Sequence, residues 1–210
     1  TLFRSIVEVD KPNNYNEIFR SFGYDIDFCK NKEDDGKQYY LLNDTNFLDN
    51  DCEGFKFGAY SLPKEGDKWL TFEELANKSK GDKNLIGILK LDVDNLGSIF
   101  GFGLKDNKTV SRITTLSRMM SLYFEGYINQ LIKDMGIEKS IYVVYSGGDD
   151  TFLIGAWDKV LDFAYKFRMK FSEYVCNNEK ITFTAGIGIF DRRYPVIRSI
   201  EITESSLNRA

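Results

Sequence analysis

The chain holds 210 residues, 42% of them apolar and 15% aromatic, with a formal net charge of −4, three cysteines and no histidine. Such a composition can bury a sizeable core in one or two domains. Its acidic balance excludes a global basic footprint for nucleic acid, so any RNA contact needs a local patch or a partner subunit. The missing histidine excludes Ser-His-Asp and Cys-His catalysis, histidine-rich zinc sites and His-Asp nuclease chemistry.

Residues 1–80 are polar and aromatic, with short β-prone runs at 2–9, 39–42 and 55–60 and exposed loops at 30–37 and 43–51. They read as a small α+β or all-β module. A short helix is expected over 69–79, with Thr71 as its cap in a Thr-Phe-Glu-Glu box. The polar stretch 78–84 serves as a linker and sets the expected domains at 1–80 and 81–210. Beyond it the pattern becomes regular. A strand over 85–93 leads into a short helix or turn at 95–103. A long amphipathic helix follows, with Val110, Ile113, Leu116, Met119, Met120, Tyr123, Phe124, Tyr127, Ile128, Leu131 and Ile132 at three-and-four spacing. A hairpin occupies 140–156, and the next helix carries Val160, Leu161, Ala164, Phe167, Phe171 and Val175. A strand over 181–189 and a helix over 194–210 close the chain. The order β-α-β-β-α-β-α is the ferredoxin-like split βαβ with one extra helix, an α+β class.

Two pairs of aspartates stand at strand tips. Leu85-Ile86-Gly87-Ile88-Leu89-Lys90-Leu91 runs into Asp92-Val93-Asp94, where alternation points both acids to one face. Ile141-Tyr142-Val143-Val144-Tyr145-Ser146 runs into Gly147-Gly148-Asp149-Asp150, and the Gly-Gly supplies the positive φ of a tight hairpin turn. If the two strands are neighbours, three or four carboxylates converge. Such crowding is unfavourable without a cation among them, and magnesium accepts one or two carboxylates plus substrate phosphates. Metal-assisted phosphoryl or nucleotidyl transfer is the chemistry this arrangement suits. Taken alone, Asp149 and Asp150 could equally be a solvated turn, and Asp94 a cap of the following helix.

Leu-Asp-Val-Asp-Asn-Leu-Gly (91–97) and Ser-Gly-Gly-Asp-Asp (146–150) on this frame resemble the palm domains of nucleotide cyclases and polymerases. The chain is most similar to the large palm-bearing subunit of type III CRISPR interference complexes, which makes cyclic oligoadenylates from ATP. Thr71-Phe72-Glu73-Glu74-Leu75-Ala76, Ser111-Arg112, Leu116-Ser117-Arg118, Tyr194-Pro195 and residues 204–210 resemble its subtype A form. The resemblance covers about 70–210 well and 1–70 loosely, as the linker domain before the second palm.

It implies that Asp92, Asp149 and Asp150 are catalytic and, with the Val93 carbonyl, hold two divalent ions, magnesium or manganese. It also implies that Asp94, Asn95, Leu96, Gly97, Ser146, Gly147 and Gly148 surround the nucleotide. ATP, the first palm of the same protein and the other subunits of a complex with guide RNA and target RNA are the implied partners. The family's HD nuclease domain cannot lie in a histidine-free chain, and a lysine that follows Asn-Arg-Ala in related cyclases is absent because the sequence stops at Ala210. With no initiator methionine either, the sequence reads as a piece of a longer protein that would turn over little alone.

Two rival readings remain open on the residues: a diguanylate-cyclase-like enzyme, which would carry an acid and then Phe after Gly-Gly-Asp where this chain has Asp150-Thr151-Phe152, and a non-catalytic palm that binds ATP or scaffolds partners. Cys29, Cys52 and Cys176 are widely spaced without a C-x-x-C, so a reduced, cytoplasmic setting is expected, with Cys176 an inert buried thiol. No apolar run approaches the roughly 18–20 residues of a membrane span, and no signal peptide is visible, so no membrane contact is expected. Arg192, Arg193 and Arg198 form a small basic cluster, either a phosphate or RNA contact or ordinary surface charge. Gly101-Phe102-Gly103 reads as a flexible turn, since no Gly-Lys-Ser/Thr follows.

Overall fold

The computed structural model describes residues 2–4, 27–29, 32–33, 36–43, 46, 48–56, 58, 63–66, 68–81, 83–105 and 108–210, of which 2–4 and 27–29 by backbone alone. The expected strand residues 5–9, 57 and 59–60, and parts of the loops expected at 30–37 and 43–51, lie outside the described residues. The chain divides into two units, residues 1–58 and 59–210.

In the first unit β1 (Leu2–Arg4), β2 (Asp27–Cys29), β3 (Tyr39–Leu42) and β4 (Gly54–Lys56) form a sheet in the order β2-β1-β3-β4. Only the β3–β4 pair is parallel. Tyr39, Leu41 and Cys52 make a small buried cluster. The Asn43 side chain clamps the backbone of Gly58, accepting from its N–H and donating to its carbonyl, each at 2.9 Å.

The second unit opens with a two-stranded hairpin, β5 (Lys64–Glu65) and β6 (Lys68–Trp69), in which the Lys64 ammonium lies 3.6 Å over the Trp69 ring. Helix α1 (Phe72–Ala76) starts at the expected capping box. The Thr71 N–H donates to Glu74 Oε2 at 2.7 Å, and the Glu74 N–H donates to Thr71 Oγ1 at 3.2 Å. The two units meet in sequence at 58/59, ahead of the 80/81 division read from composition. The reason is packing: Leu70, Leu75 and Ala76 join Ile86, Ile88, Phe152 and Ile154 in one apolar cluster. Arg192 adds an ion pair to Glu73 at 3.2 Å and a hydrogen bond to Asn77, so this arginine is occupied by α1 and its loop.

The remaining elements are β7 (Leu85–Val93), α2 (Leu96–Phe102), α3 (Val110–Ser121), a π-helical stretch (Leu122–Tyr127), α4 (Ile128–Asp134), β8 (Ile141–Gly147), β9 (Asp150–Ala156), α5 (Trp157–Tyr174), β10 (Phe183–Asp191) and α6 (Val196–Leu207). The four long strands pair antiparallel in the order β10-β7-β9-β8. That order, with helical crossovers, is the ferredoxin-like arrangement expected from the chain.

Alternation along β7 divides the sheet. Leu89, Leu91 and Val93 enter a core with Phe124, Phe163, Phe167, Phe171 and Phe183, beneath α3–α4 and α5. Tyr123 is buried there too, its phenol donating to the Phe167 carbonyl at 2.6 Å, while Tyr127 is partly buried against the cluster. On the opposite face, α6 lies against β10 where Gly186 and Gly188 stand. A Cβ at Gly186 would come within 2.5 Å of the Thr203 carbonyl and 2.8 Å of the Leu207 nitrogen.

Two expectations are revised. Cys176 is exposed, because the chain leaves α5 at Val175 and turns through positive φ at Cys176 and Asn177, beyond the apolar stripe. The last helix begins at Val196 and ends at Leu207, shorter than the expected 194–210. Among the described residues no helix is long and apolar enough to cross a membrane.

Candidate active site

The register of β7 against β9 places Asp92 directly opposite Asp150. The Val93 N–H donates to the Asp149 carbonyl at 3.1 Å. That bond flanks the pair rather than joining it, so Asp92 and Asp150 form a non-hydrogen-bonded pair, whose Cα atoms come about 4.5 Å apart. Gly147 pairs with Asp150, leaving Gly148 and Asp149 as the two-residue turn. Gly148 adopts φ 64°, the left-handed conformation that such turns reserve for glycine. A Cβ there would meet no protein atom within 4 Å, so the turn is open on its outer side.

The acids repel one another as the sequence leads one to expect. Partial desolvation at the strand end comes first, although the Asp92 side chain is exposed at its tip. The charges of Asp149, Asp150 and Asp94 follow, and together they hold the Asp92 carboxyl above the usual aspartate range. Among the described residues no lysine or arginine pairs with Asp92, Asp149 or Asp150; the neighbouring Lys90 pairs with Glu204 of α6 at 3.4 Å.

Asp94 is different. Its carboxylate accepts the hydroxyls of Thr182 and of Thr184, the latter at 2.6 Å, and its N–H donates to the Thr182 carbonyl at 2.8 Å. It therefore staples the end of β7 to β10. It does not cap α2, whose N-cap position is Asn95, in a left-handed conformation with φ 53° and no side-chain cap bond. Leu96 and Gly97 form the first turn of that helix, where N–H groups have no intrahelical acceptor. The Ser146 hydroxyl points to the helical face: it donates to the Phe124 carbonyl in the π-helical stretch at 2.6 Å and lies 2.6 Å from the Thr151 hydroxyl.

One site residue is absent from the sequence reading. The Tyr145 phenol donates to Asp150 Oδ2 at 2.5 Å. Burial, and then this hydrogen bond, push the phenol far above its ordinary value, so it is a donor throughout the physiological range. In the uninterrupted apolar run Tyr142-Val143-Val144-Tyr145 no alternation reveals which face Tyr145 takes.

Among the described residues no three acidic, cysteine or histidine side chains form a ready-made cation cage. The donor set nonetheless suits a hard cation that arrives with a nucleotide. Two facing carboxylates and a third on the turn, all oxygen donors, match an ion that keeps one or two protein carboxylates and takes the rest of its shell from phosphate and water.

A four-stranded antiparallel split-βαβ sheet with aspartates at the tips of its central strands is a palm domain. Residues 85–210 match the Cas10/Cmr2 second palm domain, and the chain belongs to that family. It is 42% identical over 186 residues to the CRISPR system single-strand-specific deoxyribonuclease Cas10/Csm1 (subtype III-A) of Methanocaldococcus jannaschii, covering 81% of this chain and 23% of that protein. Among solved structures it is similar to a Csm1-Csm4 cassette in complex with cA3 (TM-score 0.71, 28% identity, covering 88% of this chain and 28% of that one). A Csm1-Csm4 cassette in complex with AMPPNP matches at TM-score 0.70 and 30% identity, with the same coverage. The chain thus spans about a quarter of the length of these relatives.

Proposed function

We propose that this chain is the nucleotide-processing palm of a type III-A CRISPR effector subunit, building cyclic oligoadenylate from ATP when a second palm supplies the other nucleotide. The observation that carries the reading is the facing of Asp92 and Asp150 across the two central strands, with Asp149 on the adjoining turn and no basic partner among the described residues. The likeness to cassettes holding AMPPNP and cA3 supports the choice of ATP as substrate class. Guide RNA, target RNA and the companion subunits of the complex are the partners this reading assigns, in a cytoplasmic setting.

Each residue has a part. The carboxylates of Asp92, Asp149 and Asp150, with the Val93 carbonyl, would hold magnesium or manganese. Such ions, when bound, neutralise charge at the attacked phosphorus and lower the pKa of the attacking hydroxyl, worth several kcal/mol. The first-turn N–H groups of α2 at Leu96 and Gly97 orient triphosphate oxygens, with Asn95 setting the angle at which the chain enters the helix. Gly147 and Gly148, at the end of β8 and in the turn, let the backbone come close to the nucleotide, and the outer side of Gly148 is open. Asp94 acts indirectly, holding β7 to β10 so that Asp92 keeps its place. A single palm offers one triphosphate cradle, and alignment of two reactants is worth roughly 7–11 kcal/mol, so the isolated chain should bind ATP with little turnover.

The test is oligoadenylate synthesis by the assembled complex carrying Asp149→Ala and Asp150→Ala together, with manganese and ATP or GTP. Product from ATP should vanish while the melting temperature stays level or rises slightly, since mutual repulsion is removed. Wild-type synthesis by the double variant would refute the assignment.

A further inference from the structure

Strand β8 breaks its own alternation just before the acidic turn. Ile141 and Val143 pack beneath the helices opposite Gly155 and Leu153, and Tyr142 faces Ile154 on the other side. Regular pairing would next set Val144 opposite Phe152 and send Tyr145 under the helices beside Thr151. Instead the register jumps between Val143 and Tyr145. Val144 becomes the extra residue, 42% exposed, and Tyr145 takes the place opposite Phe152 on the face that carries Asp92 and Asp150. Ser146 then returns to the helical face opposite the fully buried Thr151.

Bulges beside functional sites re-aim side chains. The side chain re-aimed here is the one whose hydroxyl meets Asp150 Oδ2 at 2.5 Å. Its ring, 42% exposed, rests on one side against Phe152, centroids 5.9 Å apart at 58°, and that contact limits where the hydroxyl can reach. Without such a partner, the carboxylate of an aspartate turns through a broad torsional well. A charge-assisted hydrogen bond from a packed phenol narrows that freedom.

We infer that Tyr145 is a positioning residue: by taking Oδ2 it sets the plane of the Asp150 carboxylate and leaves Oδ1 directed at the cation and nucleotide. The inference rests on the reading of Asp92, Asp149 and Asp150 as cation ligands. The bulge at Val144 is the device that makes it possible, because it brings the phenol to the acidic face without disturbing the Ser146 and Thr151 contacts behind the turn.

The experiment titrates the 210-residue chain with Mn(II), following the free-ion EPR signal, for the wild type, Tyr145→Phe and Asp150→Asn. Phenylalanine keeps the ring on Phe152 and removes only the hydroxyl. Tyr145→Phe should weaken Mn(II) binding by about 10-fold or more, the usual consequence of losing a partner that orients a metal ligand, with the melting temperature unchanged. Tyr145→Phe binding as tightly as the wild type while Asp150→Asn binds weakly would overturn the positioning role and leave the cation site standing. Wild-type binding by Asp150→Asn as well would bring down the cation reading, and the role of Tyr145 with it.

Discussion

The two faces of the palm sheet come from the same four strands and are treated in opposite ways. Under α3–α4 and α5 the face is apolar and buried: Leu89, Leu91, Val93, Val143 and Leu153 meet a set of buried phenylalanines. On the other face α1 packs against Ile86, Ile88, Phe152 and Ile154, and α6 reaches β10 only because two positions there are glycine. Further along the same strands Lys90, Asp92, Tyr145 and Asp150 take over, and the face opens. Stability is thus concentrated on one side. The other side can carry carboxylates that repel, because it contributes less to holding the strands together.

The comparison can be broken most sharply at Phe167, which is fully buried and packs on Tyr123 and Phe124 with ring centroids 4.8 and 5.7 Å away. Phe167→Ala should cost about 3–5 kcal/mol in denaturant unfolding. A loss below about 1 kcal/mol would mean that the helical face does not dominate. At Gly186 a valine would drive Cβ into the backbone of α6, and overpacking of this kind costs about 1–3 kcal/mol. A melting temperature unchanged in Gly186→Val would show that α6 is free to lift away.

The smallest effect has the opposite sign. Because the folded Asp92 carboxyl titrates above the ordinary 3.8, folding is penalised where this group must ionise. The penalty is absent below the ordinary value, grows as pH rises through the folded value, and is constant above it. Asp92→Asn in chelator-treated buffer should therefore stabilise the palm at pH 7, and water screening of an exposed carboxylate limits the gain to a few tenths of a kcal/mol. The gain should vanish below about pH 4. A clear loss of stability at pH 7 would make Asp92 a structural residue, and the contrast between the two faces would fail at its most informative position.

Much of this was legible in the chain. Three-and-four spacing from Val110 to Ile132 specifies a long helix because 3.6 residues complete a turn, with its stripe buried from Met120 to Ile132 while Val110 and Met119 stay exposed, and Thr71 with Glu74 marks a helix start because orphan N–H groups need acceptors nearby. Acids at two strand tips, joined to the element order, already bring β7 beside the hairpin. The capping box and the helical spacing are set by neighbours in the chain, where local geometry is enough, and the meeting of the acids needs only the order of the elements besides.

The tertiary structure decided the rest. Asp92 and Asp94 look equivalent in Asp-Val-Asp, yet Asp94 is claimed by Thr182 and Thr184 from nearly ninety positions away, while Asp92 is left facing Asp150. Tyr145 faces the acids only because one residue is extruded from an apolar run that shows no alternation. The exposed Cys176, the glycines beneath α6 and the attachment of α1 to the palm sheet have the same origin. Periodicity tells which residues share a face. Register, bulges and close approaches tell which faces meet, and those are settled by partners that the local chain does not contain.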